Sequence, residues 1–464
     1  MSAPDCPPSR DLRLDFIRGL ALLVIFVNHM PDNEGQFFTL SRYGWSDAAE
    51  VFVFCSGFVS ALVFGRALAH SGLWPGTVRV LQRCVQIYAV HLGLFGALAL
   101  LCLLGNALFA PHDYIQQLNI RFFFDQTHEA LPALVTLRYL PNGIDILPMY
   151  LVLLLWTPVF WSLSGLNRAL AAACSVALYV ATYIFDLDLS AEPATDRAWF
   201  FNPFAWQLIF FGGYALGAGW IRIRLAQPGL MWASLAIVLL AAPFAHEALL
   251  RPLPWMTSLH AILEPWYEKT RLGPLRVLHF AALGYLVASL MGRNPAWLER
   301  PLALKVRQMG QQSLAIFALS LLLSRIGGMI LDQTGHGLLP LLVVNLGGLA
   351  LLLGLGQFLI WLDAKPWKRP AVTPSEMIRR GRGLIASPFA CLRPLATVLM
   401  LLPLAATPFL LPKKVASMPV STESWPVADP VRVSGLRAAK RQPLHNETRN
   451  ALPQGRLAQM RPDW

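Results

Sequence analysis

Continuous apolar runs of about 17 to 25 residues recur along most of this chain, and each has the length that spans a bilayer. Inside lipid every backbone N–H and C=O must find a partner within the protein, so such runs fold as helices. The alternating pattern of a membrane β-barrel is absent. Composition agrees: 55% of residues are hydrophobic, 14% are charged and the mean hydropathy is +0.50. A soluble domain carries about a quarter charged residues. The expected fold class is all-α, a polytopic integral membrane protein of about ten transmembrane helices. The spans read as 12–31, 48–66, 82–105, 143–162, 169–186, 203–221, 229–246, 275–291, 312–331 and 338–362. A weaker apolar segment at 394–411 carries Pro394, Pro403 and Pro408. The first run does not read as a cleaved signal peptide, because Asp15 and Arg18 interrupt it and a second span follows directly.

The net charge of +12 is distributed between alternate loops, as the positive-inside rule predicts for a membrane protein, and nucleic acid is not expected as a partner. With the N-terminus in the cytoplasm, inner loops hold Arg66, Arg79, Arg168, Arg222, Arg224 and Lys305. Outer loops hold Asp32, Asp47, Asp113, Asp186, Glu192 and Asp196. The domain expectation is a transmembrane domain at 1–365, a basic cytoplasmic linker at 366–393, the weak segment at 394–411 and a disordered tail at 412–464. That tail has few large apolar residues. Six cysteines form no CxxC motif or disulfide framework, and no metal site is expected. There is no Gly-rich phosphate loop, HExxH or GxSxG.

Three helix borders carry candidate chemistry. Arg18 and His29 are eleven residues apart on the first helix, about 16 Å along one face. Ionisable groups inside membranes are costly and mark functional sites by default; the plainer reading is that the two residues mark the helix ends. Glu50 opens the second helix, where a carboxylate near His29 would fix its tautomer and raise its basicity. A border glutamate in water is the alternative. Ser56 and Gly57 allow a close helix contact. Arg79 and Arg83, four apart on the third helix, match phosphate geometry or else anchor the helix at the cytoplasmic border. His91 reads as a core residue. The long outer segments 32–47, 106–142 and 247–274 hold aromatics such as Trp45, Phe122, Trp255 and Tyr267, suited to sugar faces or to an interfacial belt.

Taken together, these motifs resemble the membrane acyltransferase-3 superfamily. Arg13-Leu14-Asp15-Phe16-Ile17-Arg18-Gly19 ending in Asn28-His29 is similar to its first motif. Glu50 to Phe58, with Ser56-Gly57-Phe58, is similar to its second, and Arg79-x3-Arg83-x3-Ile87-Tyr88 to its third. The broad superfamily has Asp where this chain has Glu50. Asp145 to Leu154 and Phe201 to Leu208 add similarity to the OpgC branch, over about residues 10–365. The resemblance implies a bacterial inner-membrane O-acyltransferase, N-terminus cytoplasmic, that modifies periplasmic glucans. Cytoplasmic acyl-CoA, best taken as succinyl-CoA, would be the donor substrate, with no permanently bound cofactor. It implies His29 as general base, Glu50 as its orienting or stabilising acid, and Arg18 as neutraliser of developing negative charge or of a succinyl carboxylate. Arg79 and Arg83 would hold the donor's phosphates. The competing readings are a transporter or flippase of acyl or glycan material, and acetyl transfer to an exopolysaccharide. Many transporters are built from inverted repeats, and none is evident here.

Overall fold

The computed structural model describes residues 11–109, 111–195, 197–245, 254–292 and 295–364. The expected linker, weak apolar segment and tail lie outside the described residues, as do Cys6, Cys391 and Asp196. Twelve helices carry the architecture: α1 (Leu12–Asn28), α2 (Ala48–Ser71), α3 (Leu73–Leu108), α4 (Ile146–Leu166), α5 (Arg168–Ile184), α6 (Pro203–Gly217), α7 (Pro228–Ala245), α8 (Pro254–Tyr267), α9 (Pro274–Met291), α10 (Pro301–Gln311), α11 (Ser313–Thr334) and α12 (Leu338–Asp363). Short helical turns occupy much of the segment between α3 and α4. Among the described residues the only β-type pairing is an isolated bridge between Ser190 and Ala198.

Each of the ten expected spans falls on a helix. Seven helices are long and apolar enough to cross a membrane: α2, α3, α4, α7, α9, α11 and α12. α1, α5 and α6, with 17, 17 and 15 residues, are shorter. α12 turns Leu338, Leu339, Val343 and Leu346 outward, an apolar exterior that suits lipid and not water.

Caps set the helix starts. The Asp11 carboxylate accepts from the Arg13 N–H at 3.0 Å and begins α1. Asp47 and Glu50 form a reciprocal capping box at the start of α2, so Glu50 is fixed by the same bonds that start its helix. Asn202 followed by Pro203 starts α6. α2 widens into a π-helical turn at Ala61–Gly65 before its last stretch.

Close packing falls where glycines allow it. Gly57 of α2 lies against the Phe210 carbonyl of α6, and Gly213 of α6 lies against the Phe54 carbonyl. The close contact expected at Ser56-Gly57 is therefore formed, with α6 as partner. α1 and α10 meet likewise, Gly19 on the Val306 carbonyl and Gly310 on the Asp15 carbonyl. α1 and α11 run side by side in matching register. Arg18 Nη2 donates to Ser313 Oγ, Ser324 Oγ donates to the Phe26 carbonyl at 2.7 Å, and Gly327 packs on Met30.

The sequence reading differs from the structure in three segments. The expected third span, 82–105, is the central part of a 36-residue helix. Its length is about 54 Å, well beyond a hydrocarbon core of about 30 Å. α8 lies within the expected outer loop 247–274, and α10 within an expected inner loop. α10 is amphipathic: Ala303, Val306 and Met309 are buried while Leu302, Leu304 and Lys305 are exposed, so no continuous apolar run marks it.

Candidate active site

His29 caps the C-terminal end of α1, and the loop beyond it is pinned by side chains. Asn28 Nδ2 donates to Ser41 Oγ at 2.6 Å, and Thr39 Oγ1 donates to Asn28 Oδ1 at 2.9 Å. Asn33 and Asn345 exchange amide bonds at 2.9 Å, tying the loop to α12. His29 Nδ1 lies 2.9 Å from the Ile25 carbonyl. A carbonyl can only accept, so Nδ1 carries the proton, and in the neutral ring Nε2 presents the lone pair. The backbone of its own helix thus sets the His29 tautomer, a role the sequence reading gave to Glu50.

Glu50 is fully buried. Its Oε2 accepts from the Asp47 N–H at 2.7 Å. Its Oε1 meets Arg276 Nη1 of α9 at 3.2 Å, an ion pair whose angle falls outside hydrogen-bonding geometry. Arg276 also donates to the Trp45 carbonyl. Beside this pair, Lys269 Nζ lies 2.6 Å from Asp47 Oδ2, both side chains largely buried. Burial alone would raise the Asp47 carboxyl. The Lys269 and Arg276 charges outweigh it and hold that group well below the usual carboxylate range. Asp47, Lys269 and Arg325 of α11 all act electrostatically on His29.

Aromatic rings close the rim. Trp45 stacks on Tyr267 of α8 with centroids 5.4 Å apart and planes 5° apart, and His279 Nδ1 lies 2.7 Å from Ser46 Oγ. Two of the aromatics singled out in the sequence, Trp45 and Tyr267, therefore meet at the site.

A small cavity connects His29 with Arg325. Leu98, Leu118, Asn142, Gly143, Ile144 and Leu321 complete its lining. Gly143 has φ +85°, and a methyl group added there would sit 3.8 Å from His29 Cδ2 and 3.9 Å from Arg325 Nη2.

Arg18 is not brought to this cavity. It binds Ser313 at the start of α11, about 16 Å down α1 from His29. The cation level with His29 is instead Arg325, because α11 rises beside α1 in register. Arg79 is exposed, and Arg83 Nη1 donates to Gln86 Oε1 at 3.1 Å. Both precede Leu98 on α3 by 15 residues or more, roughly 22 Å or further, and so lie toward the opposite end of the bundle. A second cavity, of about 400 Å³, opens at that end. It is lined by the π-helical turn of α2, by Arg66 and Arg168, and by Trp161, Tyr214 and Trp220, with neither Arg79 nor Arg83 in its wall.

Lys269, Arg276 and Arg325 belong to none of the sequence motifs above. Signals for them exist: Arg325 interrupts an apolar run, and Lys269 and Arg276 are basic residues on the side expected to be acidic. Among the described residues, no group of three His, Cys, Asp or Glu is placed to hold a metal ion.

The sequence model of the family described as OpgC protein matches residues 10–364. The chain belongs to the OpgC family. The match takes in α1 to α12 and every group of the site above. OpgC membership points to an acyltransferase-like role in glucan modification. No curated protein and no solved structure matches the chain.

Proposed function

We propose that this OpgC-family protein is a membrane O-acyltransferase that moves an acyl group, best taken as succinyl from cytoplasmic succinyl-CoA, onto hydroxyls of a periplasmic glucan. The observation that carries the reading is His29. Its Nδ1 proton is held by the Ile25 carbonyl, which leaves Nε2 as the acceptor nitrogen of the neutral ring, and its ring lines a cavity with the half-buried Arg325.

Nε2 takes the proton of a sugar hydroxyl as that oxygen attacks the thioester carbonyl carbon. The new C–O bond forms, the C–S bond breaks and the departing thiolate receives the proton. General-base assistance of this kind is worth roughly 10²–10⁴-fold. Glu50 and Arg276, with Asp47 and Lys269, form the rigid charged frame beside His29. Aromatic rings such as Trp45 and Tyr267 offer flat apolar faces to sugar rings. The donor's phosphates dock at the other end of the bundle, where Arg79 and Arg83 lie. The cavity with Arg66 and Arg168 supplies guanidinium groups and aromatic rings for the nucleotide part.

The test is mass spectrometry of periplasmic glucans from three strains: one lacking the protein, one complemented with it, and one complemented with His29→Ala. The expected result is a succinyl-sized mass increment only with the unaltered protein. Normal modification by a stably inserted His29→Ala protein would remove His29 from the mechanism.

A further inference from the structure

We propose that His279 is a positioning residue for acceptor use: with Arg276 it grips the peptide group between Trp45 and Ser46, and so fixes the loop that carries Trp45 and Asp47. The inference rests on the acyl-transfer reading for the identity of the acceptor, a glucan.

Arg276 and His279 are three residues apart on α9, a spacing that brings both to one side of the helix. Both are buried. Arg276 donates to the Trp45 carbonyl. His279 takes the other half of the same peptide group. The Ser46 N–H lies 3.3 Å from His279 Nδ1, and the Ser46 hydroxyl lies 2.7 Å from it. An N–H can only donate, so Nδ1 is the acceptor and the proton of the neutral ring sits on Nε2. α9 thus holds the C=O and the N–H of one planar unit, and its orientation is set from both edges.

The fit of the ring is one-sided. Among the described residues Nε2 has no hydrogen-bond partner. A Cβ added at Gly44 would sit 2.4 Å from both Nε2 and Cε1, so this edge of the ring lies against bare glycine backbone. A buried N–H without a partner costs free energy, and an aliphatic side chain of similar size avoids that cost. What the imidazole supplies in return is the acceptor for Ser46.

The residues on either side of the gripped peptide form the rim. Trp45 stacks on Tyr267, and its ring centroid is 6.2 Å from that of His279. Asp47 follows Ser46 directly, pairs with Lys269 and shares the capping box with Glu50. Rotation of the 45–46 peptide swings the Trp45 ring off Tyr267 on one side and Asp47 off Lys269 on the other. His279 touches neither reacting atom nor proton in this scheme; it acts through the loop.

The experiment uses the full-length protein in detergent, with succinyl-CoA as donor and a purified glucan as acceptor. KM is measured for each substrate, and glucan affinity is measured alongside, since it needs no turnover. The variants are His279→Gln, His279→Asn, Gly44→Ala and Ser46→Ala. Asparagine puts its amide oxygen where Nδ1 stood, whereas glutamine carries its amide about one bond further out. His279→Gln and Gly44→Ala are expected to raise KM for the glucan and weaken glucan binding by about 10-fold or more, the range of one buried hydrogen bond, with KM for the donor unchanged. His279→Asn is expected to stay within about 3-fold of the unaltered protein in both readouts. Ser46→Ala keeps the ring and the backbone N–H and carries the test where a larger change does not fold; its expected loss is about 3- to 10-fold in glucan use alone. A loss in His279→Asn equal to that in His279→Gln overturns the proposal, as does equal loss of donor and acceptor use in the variants. Unchanged glucan affinity in His279→Gln overturns it without any turnover measurement. Absence of transfer by the unaltered protein, with this pattern of glucan binding retained, sinks the acyl-transfer reading and leaves the positioning role standing. Absence of glucan binding by the unaltered protein overturns both.

Discussion

Glu50 Oε1 and Arg276 Nη1 stand 3.2 Å apart with the Glu50 side chain wholly excluded from solvent, so α2 and α9 are joined through a charge pair that neither helix can solvate alone. Removing one member strands the other. Arg276→Met is expected to lower stability by about 3–5 kcal/mol, the usual cost of breaking a buried pair from one side. Glu50→Gln combined with Arg276→Met is expected to recover much of that loss, since both charges then vanish. Thermal unfolding of the four proteins in detergent gives the coupling directly. Additive losses would show that the two side chains act independently.

Gly143 has a narrower role. Its φ of +85° is a conformation that side chains with a Cβ rarely adopt, and its hydrogen faces the space between His29 and Arg325. Gly143→Ala is expected to lose stability by about 1–2 kcal/mol through backbone strain. It should lose at least ten times more turnover than that modest destabilisation suggests, because the methyl fills the space beside the His29 ring. Unchanged turnover in a folded Gly143→Ala protein would show that this space is not used in the reaction.

The helices were legible because bilayer length and lipid solvation act on composition alone. Each expected span therefore falls on a helix. α8 and α10 were hidden for the same reason: an amphipathic helix keeps polar residues on one face and never builds an apolar run. At the site, His29 and Glu50 were visible as ionisable residues at the borders of apolar runs. Arg325 obeys that same rule from inside the run that became α11. What put Arg325 level with His29 is the register of α11 against α1, fixed by Arg18 with Ser313 and by Ser324 with the Phe26 carbonyl. Those contacts join residues about three hundred positions apart, and no local pattern encodes them.

Asp47 makes the rim of the site sensitive to acid. Its carboxyl is held below the ordinary range by Lys269 and Arg276, which outweigh the opposing effect of burial. A folded-state value below the unfolded one adds stability above about pH 4. That contribution is lost as pH falls through the depressed folded value. Asp47→Asn is expected to be less stable than the unaltered protein at pH 7, and the gap is expected to narrow as pH falls below about 4. Melting temperatures from pH 7 to pH 3 test this. A gap that stays constant would assign the effect of Asp47 to its cap on α2 rather than to its charge.

The α2–α6 contact offers a direct comparison between adjacent glycines. Gly213 faces α2: a Cβ there would press on the Phe54 carbonyl, with the Phe54 carbonyl carbon at 3.1 Å and the Phe58 nitrogen at 3.2 Å. Backbone atoms of a packed helix cannot swing aside as a side-chain tip can, so the two helices must separate. Gly212, one residue earlier, has nothing within 4 Å of such a Cβ. Gly213→Ala is expected to destabilise the protein by about 1–3 kcal/mol, as overpacking does. Gly212→Ala is expected to be neutral or to gain up to about 1 kcal/mol from helix propensity. The effect of Gly213→Ala should extend to function, because α2 carries Glu50 one turn before Phe54 and any displacement of that helix shifts the Glu50–Arg276 pair. Thermal unfolding and glucan modification by the two variants measure both consequences. Equal behaviour of Gly212→Ala and Gly213→Ala would show that close approach of α2 and α6 is not what holds Glu50 in place.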